Sequence, residues 1–154
     1  MSTDDRLARA REAAAAVPDP EIPALTIADL GMLRDVALDG DTIVATITPS
    51  YSGCPATQPI ACDVADALAR AGFADAKVRT VLAPAWSTDW ITETGRRKLA
   101  EAGIAPPDRA RARPACPLCG RAETEQLSAF GSTPCKALHR CLTCREPFEA
   151  FKCH

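Results

Sequence analysis

Apolar residues recur along this chain with two different periods, and the switches between them mark out the elements. The opening stretch, from about Thr3 to Ala16, mixes alanine with arginine and acidic residues and is closed by Pro18. Alanine and arginine favour helix and proline cannot continue one, so a first helix is predicted here. Pro18-Asp-Pro-Glu-Ile-Pro23 holds too much proline for a helix or a central strand and reads as a rigid extended connector. Two strand candidates follow, Met32–Leu38 and Thr42–Thr48, parted by the turn signal Asp39-Gly40-Asp41. In the second, Ile43, Ala45 and Ile47 alternate with Thr42, Thr46 and Thr48. That two-residue period belongs to a strand, and the pair is expected to form a hairpin.

The period then turns helical. Residues 49–55 read as a loop, followed by a helix to about Ala71 with Gly72 as its stop. Ile60, Val64, Leu68 and Ala71 make one apolar stripe at helical spacing. Lys77–Leu82 is a third strand and Pro84-Ala-Trp86 a turn. Thr88 is placed to cap a last helix, from about Asp89 to Ala102, with Ile91, Leu99 and Ala102 on one face. Pro106-Pro107 opens a linker rich in Arg, Ala and Pro that runs through Pro114. The expected class is α+β: a small helix-strand-strand-helix-strand-helix domain over residues 1–105, a linker at 106–114 and a separate module at 115–154.

Composition supports two units. The chain of 154 residues is 47% hydrophobic, enough for a core and too apolar for disorder throughout. Residues 1–108 carry ten Lys/Arg against sixteen Asp/Glu, whereas residues 109–154 carry eight against four. A basic tail on an acidic body suits an acidic protein partner better than a nucleic acid. The acidic start and the short alanine run Ala13–Ala16 do not resemble a secretory signal. No stretch approaches the roughly 18 apolar residues of a membrane helix. A cytoplasmic protein without a membrane partner is expected, and in that reducing compartment clustered cysteines read first as metal ligands.

Six of the eight cysteines crowd into residues 116–153. Cys116-Pro-Leu-Cys119-Gly120 and Cys141-Leu-Thr-Cys144 are two knuckles separated by a span long enough for a hairpin. A Cys-x-x-Cys turn aims both sulfurs at one point, and two such pairs close a tetrahedral sulfur site, which suits structural zinc. The same four thiolates would also accept iron or an iron–sulfur cluster. Free core cysteines and redox Cys-x-x-Cys chemistry are the competing readings. Cys135 and Cys153 are candidates for additional metal binding. His139 reads as a surface or packing residue, and no role is assigned to His154.

Cys54 is the reactive candidate in the first domain. It precedes Pro55, which suits the first position of a helix, so Cys54 is expected as N-cap, where the helix dipole would lower its pKa. Gly53 would let another backbone approach closely. Cys62 is expected on the solvent face of the same helix. Asp19 and Glu21 are the acids of the proline connector, with a solvated loop as the alternative to a functional role. Trp86 and Trp90 read as core or interface anchors. Residues 1–108 contain no histidine, which excludes a Cys-His or Ser-His pair there, and no nucleotide-binding glycine loop is present.

Several blocks together carry a resemblance. Asp19-Pro-Glu-Ile-Pro23, Asp29-Leu-Gly-Met32, Thr48-Pro-Ser-Tyr-Ser-Gly-Cys-Pro55 and Pro84-Ala-Trp-Ser-Thr-Asp-Trp90 resemble the SufT-like iron–sulfur assembly domain. With Cys116-Pro-Leu-Cys-Gly120, Phe130-Gly-Ser-Thr-Pro-Cys-Lys-Ala137 and Glu146-Pro-Phe-Glu-Ala-Phe-Lys-Cys153, residues 15–154 resemble the PaaD-type subunit of phenylacetyl-CoA epoxidase. The resemblance implies an accessory or maturation subunit in phenylacetate catabolism, non-catalytic itself. It would assist iron–sulfur or iron-centre assembly in the oxygenase subunits and the iron–sulfur reductase. It places the family's shared cysteine on Cys54, a holder of transient iron or cluster, and the family's acidic motif on Asp19 and Glu21. One departure is Ser50, where relatives often carry threonine. Two other readings compete with it. A zinc-ribbon nucleic-acid-binding protein is opposed by the acidic body, and a thiol enzyme using Cys54 by the missing histidine base.

Overall fold

The computed structural model describes residues 1–153. They form two compact units that divide between Trp86 and Ser87.

The first unit opens with α1 (Thr3–Ala15). Its N-terminus carries a capping box: Ser2 Oγ accepts from the Asp5 amide, and the Asp5 carboxylate accepts from the Ser2 amide. Such a cap contributes about 1 kcal/mol. β1 (Leu33–Asp39) and β2 (Thr42–Ile47) form the expected antiparallel hairpin. α2 (Thr57–Arg70) then carries the chain over to β3 (Lys77–Thr80), which pairs parallel with β2. Parallel neighbours need such a crossover. The sheet order is β1-β2-β3. Its core is Val36, Ile43, Ala45 and Ile47 from the strands with Ile60, Val64 and Leu68 from α2, so the predicted stripe is the buried one; Ala71 is only half-buried. Trp86 is buried and its indole N–H donates to the Leu30 carbonyl at 2.8 Å.

The proline segment is not extended. The Asp19 amide donates to the Leu25 carbonyl, Leu25 to Ile22 and Ile27 to Val17, each at 2.9 Å. Asp19 explains the difference. Its Oδ1 accepts from the amides of both Glu21 and Ile22 at 2.8 Å, closing a turn that the prolines cannot close for want of N–H donors. The closed loop buries Ile22, Leu25 and Ile27.

The second unit begins with a short 3-10 turn, Thr88–Trp90, capped by Ser87. Ile91 is extended, and α3 (Glu93–Glu101) starts afresh with Thr92 Oγ1 accepting from the Gly95 amide at 3.0 Å. The single helix expected from Asp89 is therefore split, because Ser87 and Thr92 each capture a separate start. Ile91 and Leu99 are buried, but Ala102 is exposed. β4 (Ile104–Ala105) pairs parallel with β7 (Pro147–Phe151), and β6 (Lys136–Cys141) and β5 (Thr124–Ser128) complete a sheet of order β4-β7-β6-β5.

The boundary expected at residue 105 thus differs from the observed one: α3 and β4 belong to the second unit. The presumed linker is also tied down within that unit. Arg96 Nη1 donates to the Pro107 carbonyl at 2.6 Å, Arg113 Nη1 to the Thr124 carbonyl at 3.0 Å, and Thr124 Oγ1 to the Pro114 carbonyl at 2.7 Å. Proline and arginine suggest a linker by composition, but arginine's donor fork can staple a strand-less segment to backbone carbonyls. No helix among the described residues is long and apolar enough to cross a membrane.

Candidate metal centre

The two knuckles are built alike. In the first, the Cys116 amide donates to the Arg121 carbonyl at 2.9 Å, and the Gly120 amide donates back to the Cys116 carbonyl at 2.8 Å. In the second, the Cys141 amide donates to the Glu146 carbonyl at 3.0 Å, and the Arg145 amide to the Cys141 carbonyl at 3.1 Å. Each turn ends on a residue with positive φ, Gly120 at 79° and Arg145 at 70°. The knuckles are held side by side because Cys141 ends β6, with Thr124 of β5 paired to it, while the Leu142 amide donates to the Glu123 carbonyl at 2.8 Å.

That left-handed residue gives a first expected result. Glycine tolerates the conformation and arginine does not, at a cost of roughly 1–2 kcal/mol. Gly120→Ala should lower the stability of the metal-loaded ribbon by about 1 kcal/mol, and Arg145→Gly should raise it by roughly 0.5–1 kcal/mol after the glycine entropy is subtracted. Thermal melts of the metal-loaded chain, read at the ribbon transition, check both signs.

The sulfurs of Cys116, Cys119, Cys141 and Cys144 all lie within 4.8 Å of one another. Cys116 and Cys144 are 3.8 Å apart and Cys119 and Cys141 3.5 Å. A tetrahedron of metal–sulfur bonds of ~2.3 Å has sulfur–sulfur edges of about 3.8 Å, so the donor set fits a closed four-sulfur metal site. The cluster is half sunk: Cys116 and Cys141 are buried with Ala105, Phe148 and Ala150, Cys144 packs against that group, and Cys119 is exposed. The thiols are electrostatically uneven. The amide of Cys144, outweighing burial, brings the Cys141 thiol down to about 6. The Glu146 amide draws the Cys144 thiol down, but burial and the sulfurs of Cys141, Cys116 and Cys119 outweigh it and push the thiol up to about 12. Cys119 is also raised: the Arg121 amide lowers it, and burial with the neighbouring sulfurs of Cys141 and Cys116 overcomes that. Four crowded sulfurs that resist being thiolates together are what a bound dication resolves.

Cys135 lies outside this cluster. It is buried just ahead of β6, with Thr133 Oγ1 3.0 Å from its sulfur. Cys153 is exposed. His139 is buried and stacked on Phe148, with ring centroids 5.7 Å apart, and burial with the charge of Arg113 lowers its pKa. It is a packing residue. His154 lies outside the described residues.

In the first unit Cys54 is buried, 6% exposed, in the turn between β2 and α2. It is not the N-cap: α2 starts at Thr57 after Ala56, so the expected dipole geometry is absent. The cause is local. The Cys54 amide donates to the Tyr51 carbonyl at 3.2 Å and the Thr57 amide to the Cys54 carbonyl at 3.1 Å, which gives residues 51–57 turns of their own before the helix. Ser50 Oγ stands 3.9 Å from the Cys54 sulfur. Gly53 faces open space and is needed for its φ of 79° rather than for close approach. Asp19 is buried and caps its turn, whereas Glu21 is half-buried. Cys62 is exposed as expected. The reactive candidates thus belong to one unit and the four-sulfur cluster to the other.

Sequence reading passed over a buried lysine, Lys136, paired with Glu149 at 3.8 Å. The available signal was its place inside the apolar run of β6, flanked by Cys135 and Ala137.

Comparison with known proteins matches both units. Residues 7–82 match the model of an iron-sulfur cluster assembly protein family, and residues 103–152 that of the PaaD zinc beta ribbon domain. The chain is 49% identical over 143 residues to an Escherichia coli (strain K12) protein named for the D-type component of a 1,2-phenylacetyl-CoA epoxidase, covering 89% of this chain and 87% of that one. A Bacillus anthracis domain of unknown function, DUF59, overlays with a TM-score of 0.57 at 27% identity, over 62% of this chain and 92% of the domain.

Proposed function

This chain belongs to the family of PaaD-type subunits of phenylacetyl-CoA epoxidase, and from that premise we propose that it is an accessory, maturation subunit of that system in phenylacetate catabolism. It assists iron–sulfur or iron-centre assembly in the oxygenase subunits and the iron–sulfur reductase, and does not turn over the aromatic substrate. The observation that carries this reading is the union, in one chain, of an assembly-type domain and a four-sulfur ribbon.

The division of labour follows from the two sites. The ribbon's four thiolates leave no open position, so zinc held there supplies shape rather than chemistry. The Cys54 thiol has no histidine in residues 1–108 to act as its base, which argues against turnover and for a ligand or contact role. Iron or a cluster is then cargo, held at Cys54 during transfer. Asp19 acts through its cap on the turn, and Glu21 stands beside it.

The test is reconstitution. Epoxidase and reductase are expressed with and without this chain, and iron and acid-labile sulfide are measured in each. At least one client should be several-fold depleted when the chain is missing; full occupancy of every client without it would overturn the reading.

A further inference from the structure

Phe130 is the most exposed large hydrophobic residue of the second unit, at 65%, and Leu127 beside it is 48% exposed. An exposed phenyl ring gains nothing from folding, yet this one sits on a segment fixed at almost every residue. The Phe130 amide donates to Ser128 Oγ at 3.2 Å and the Gly131 amide to the Lys136 carbonyl at 2.7 Å. The Glu149 carboxylate accepts from the Ser132 amide at 2.7 Å and from Ser132 Oγ at 2.9 Å. Glu149 is itself held by Lys136, whose side chain is 4% exposed. A buried ammonium is costly and tolerated only when paired. Here the pair fixes the carboxylate that in turn fixes the loop. Gly131 is part of the device, since a Cβ there would collide with the Glu149 carboxylate. The Lys152 ammonium lies 4.1 Å from the Phe130 ring centroid.

We propose that Phe130 is the anchor of a docking site, presented in its bound conformation to an apolar socket rimmed by carboxylates on an epoxidase component. This rests on the reading that the chain serves the epoxidase system. Large aromatic anchors held rigid before binding lose little entropy on docking. Charge complementarity names the rim. Residues 109–154 carry eight basic residues against four acidic, and among the described residues no carboxylate pairs with Lys152. A partner's carboxylate would meet that ammonium as the ring enters its socket.

The test uses the full-length, metal-loaded chain against purified epoxidase oxygenase complex and purified reductase, by calorimetry at two salt concentrations. Wild type should bind one of them. Phe130→Ala should weaken binding at least tenfold, and Lys152→Glu should weaken it several-fold and remove its salt dependence, both with unchanged metal content. Gly131→Ala should weaken it less, by loosening the loop. Unchanged affinity in Phe130→Ala and Lys152→Glu overturns this inference alone. Binding of wild type to neither component overturns it together with the epoxidase role. A wild-type dimer that Phe130→Ala dissociates makes a second copy the occupant and also overturns it.

Discussion

Cys116→Ser is expected to strip the metal from the ribbon and unfold it while leaving the first unit folded. The size of the effect follows from what the ribbon has besides metal. Its cluster of buried residues around the site is Ala105, Cys116, Cys141, Phe148 and Ala150, two of them ligands. Structural zinc contributes apparent binding free energies of about 10–16 kcal/mol at neutral pH, as much as the whole stability of an ordinary domain, about 5–15 kcal/mol. Serine removes one of four thiolates and leaves a hydroxyl at a position 2% exposed. Elemental analysis should fall from one metal ion per chain to near none, and the melt should lose one transition and keep another. Cys153→Ser, at an exposed position outside the cluster, should keep the metal. Stoichiometric metal in Cys116→Ser would sink the four-sulfur assignment, and the same analysis identifies zinc or iron. Acid should mimic the mutation. The bound metal depresses the thiol pKa values below the unfolded value of about 8.5, so its stabilisation is complete above that pH and is lost as pH falls through the depressed values.

How much of this was legible depended on whether the signal was local. Two Cys-x-x-Cys knuckles are local, and each folds into a self-contained turn, so the four ligands could be named from spacing. The hairpin and the Ile60–Val64–Leu68 stripe were equally plain, because periodicity reports directly on which face is buried. The misreadings share a different cause. Asp19 closing the proline loop, Thr92 restarting α3 and the turns that push the start of α2 to Thr57 all depend on side-chain or backbone hydrogen bonds that compete with the simple element. The boundary was misplaced because β4 is two residues long and exists only through pairing with β7, far along the chain. Lys136 was invisible for the same reason: its partner Glu149 is brought to it by the β6–β7 ladder.

Cys54→Ala should abolish the chain's support of its client while leaving the fold nearly intact. Both hydrogen bonds of Cys54 that shape the turn are made by its backbone, to Tyr51 and from Thr57, so alanine keeps them. What is removed is one sulfur, 6% exposed, whose side-chain neighbour Ser50 stands 3.9 Å away, at the outer edge of contact. The stability cost is that of a small core truncation, about 1 kcal/mol, or several degrees in the melt. Client iron and acid-labile sulfide should nonetheless fall to the level found without the chain. Ser50→Ala removes only the weak contact and should cost far less. Asp19→Ala supplies the contrast in kind: by releasing the Glu21 and Ile22 amides it should destabilise by about 1–3 kcal/mol, and its client defect should recover at lower temperature. A client loaded as well by Cys54→Ala as by wild type would leave Cys54 a buried structural residue and move the assembly role elsewhere. The comparison is informative because the two substitutions separate what a single loss of function would confuse, a missing ligand and a loosened loop.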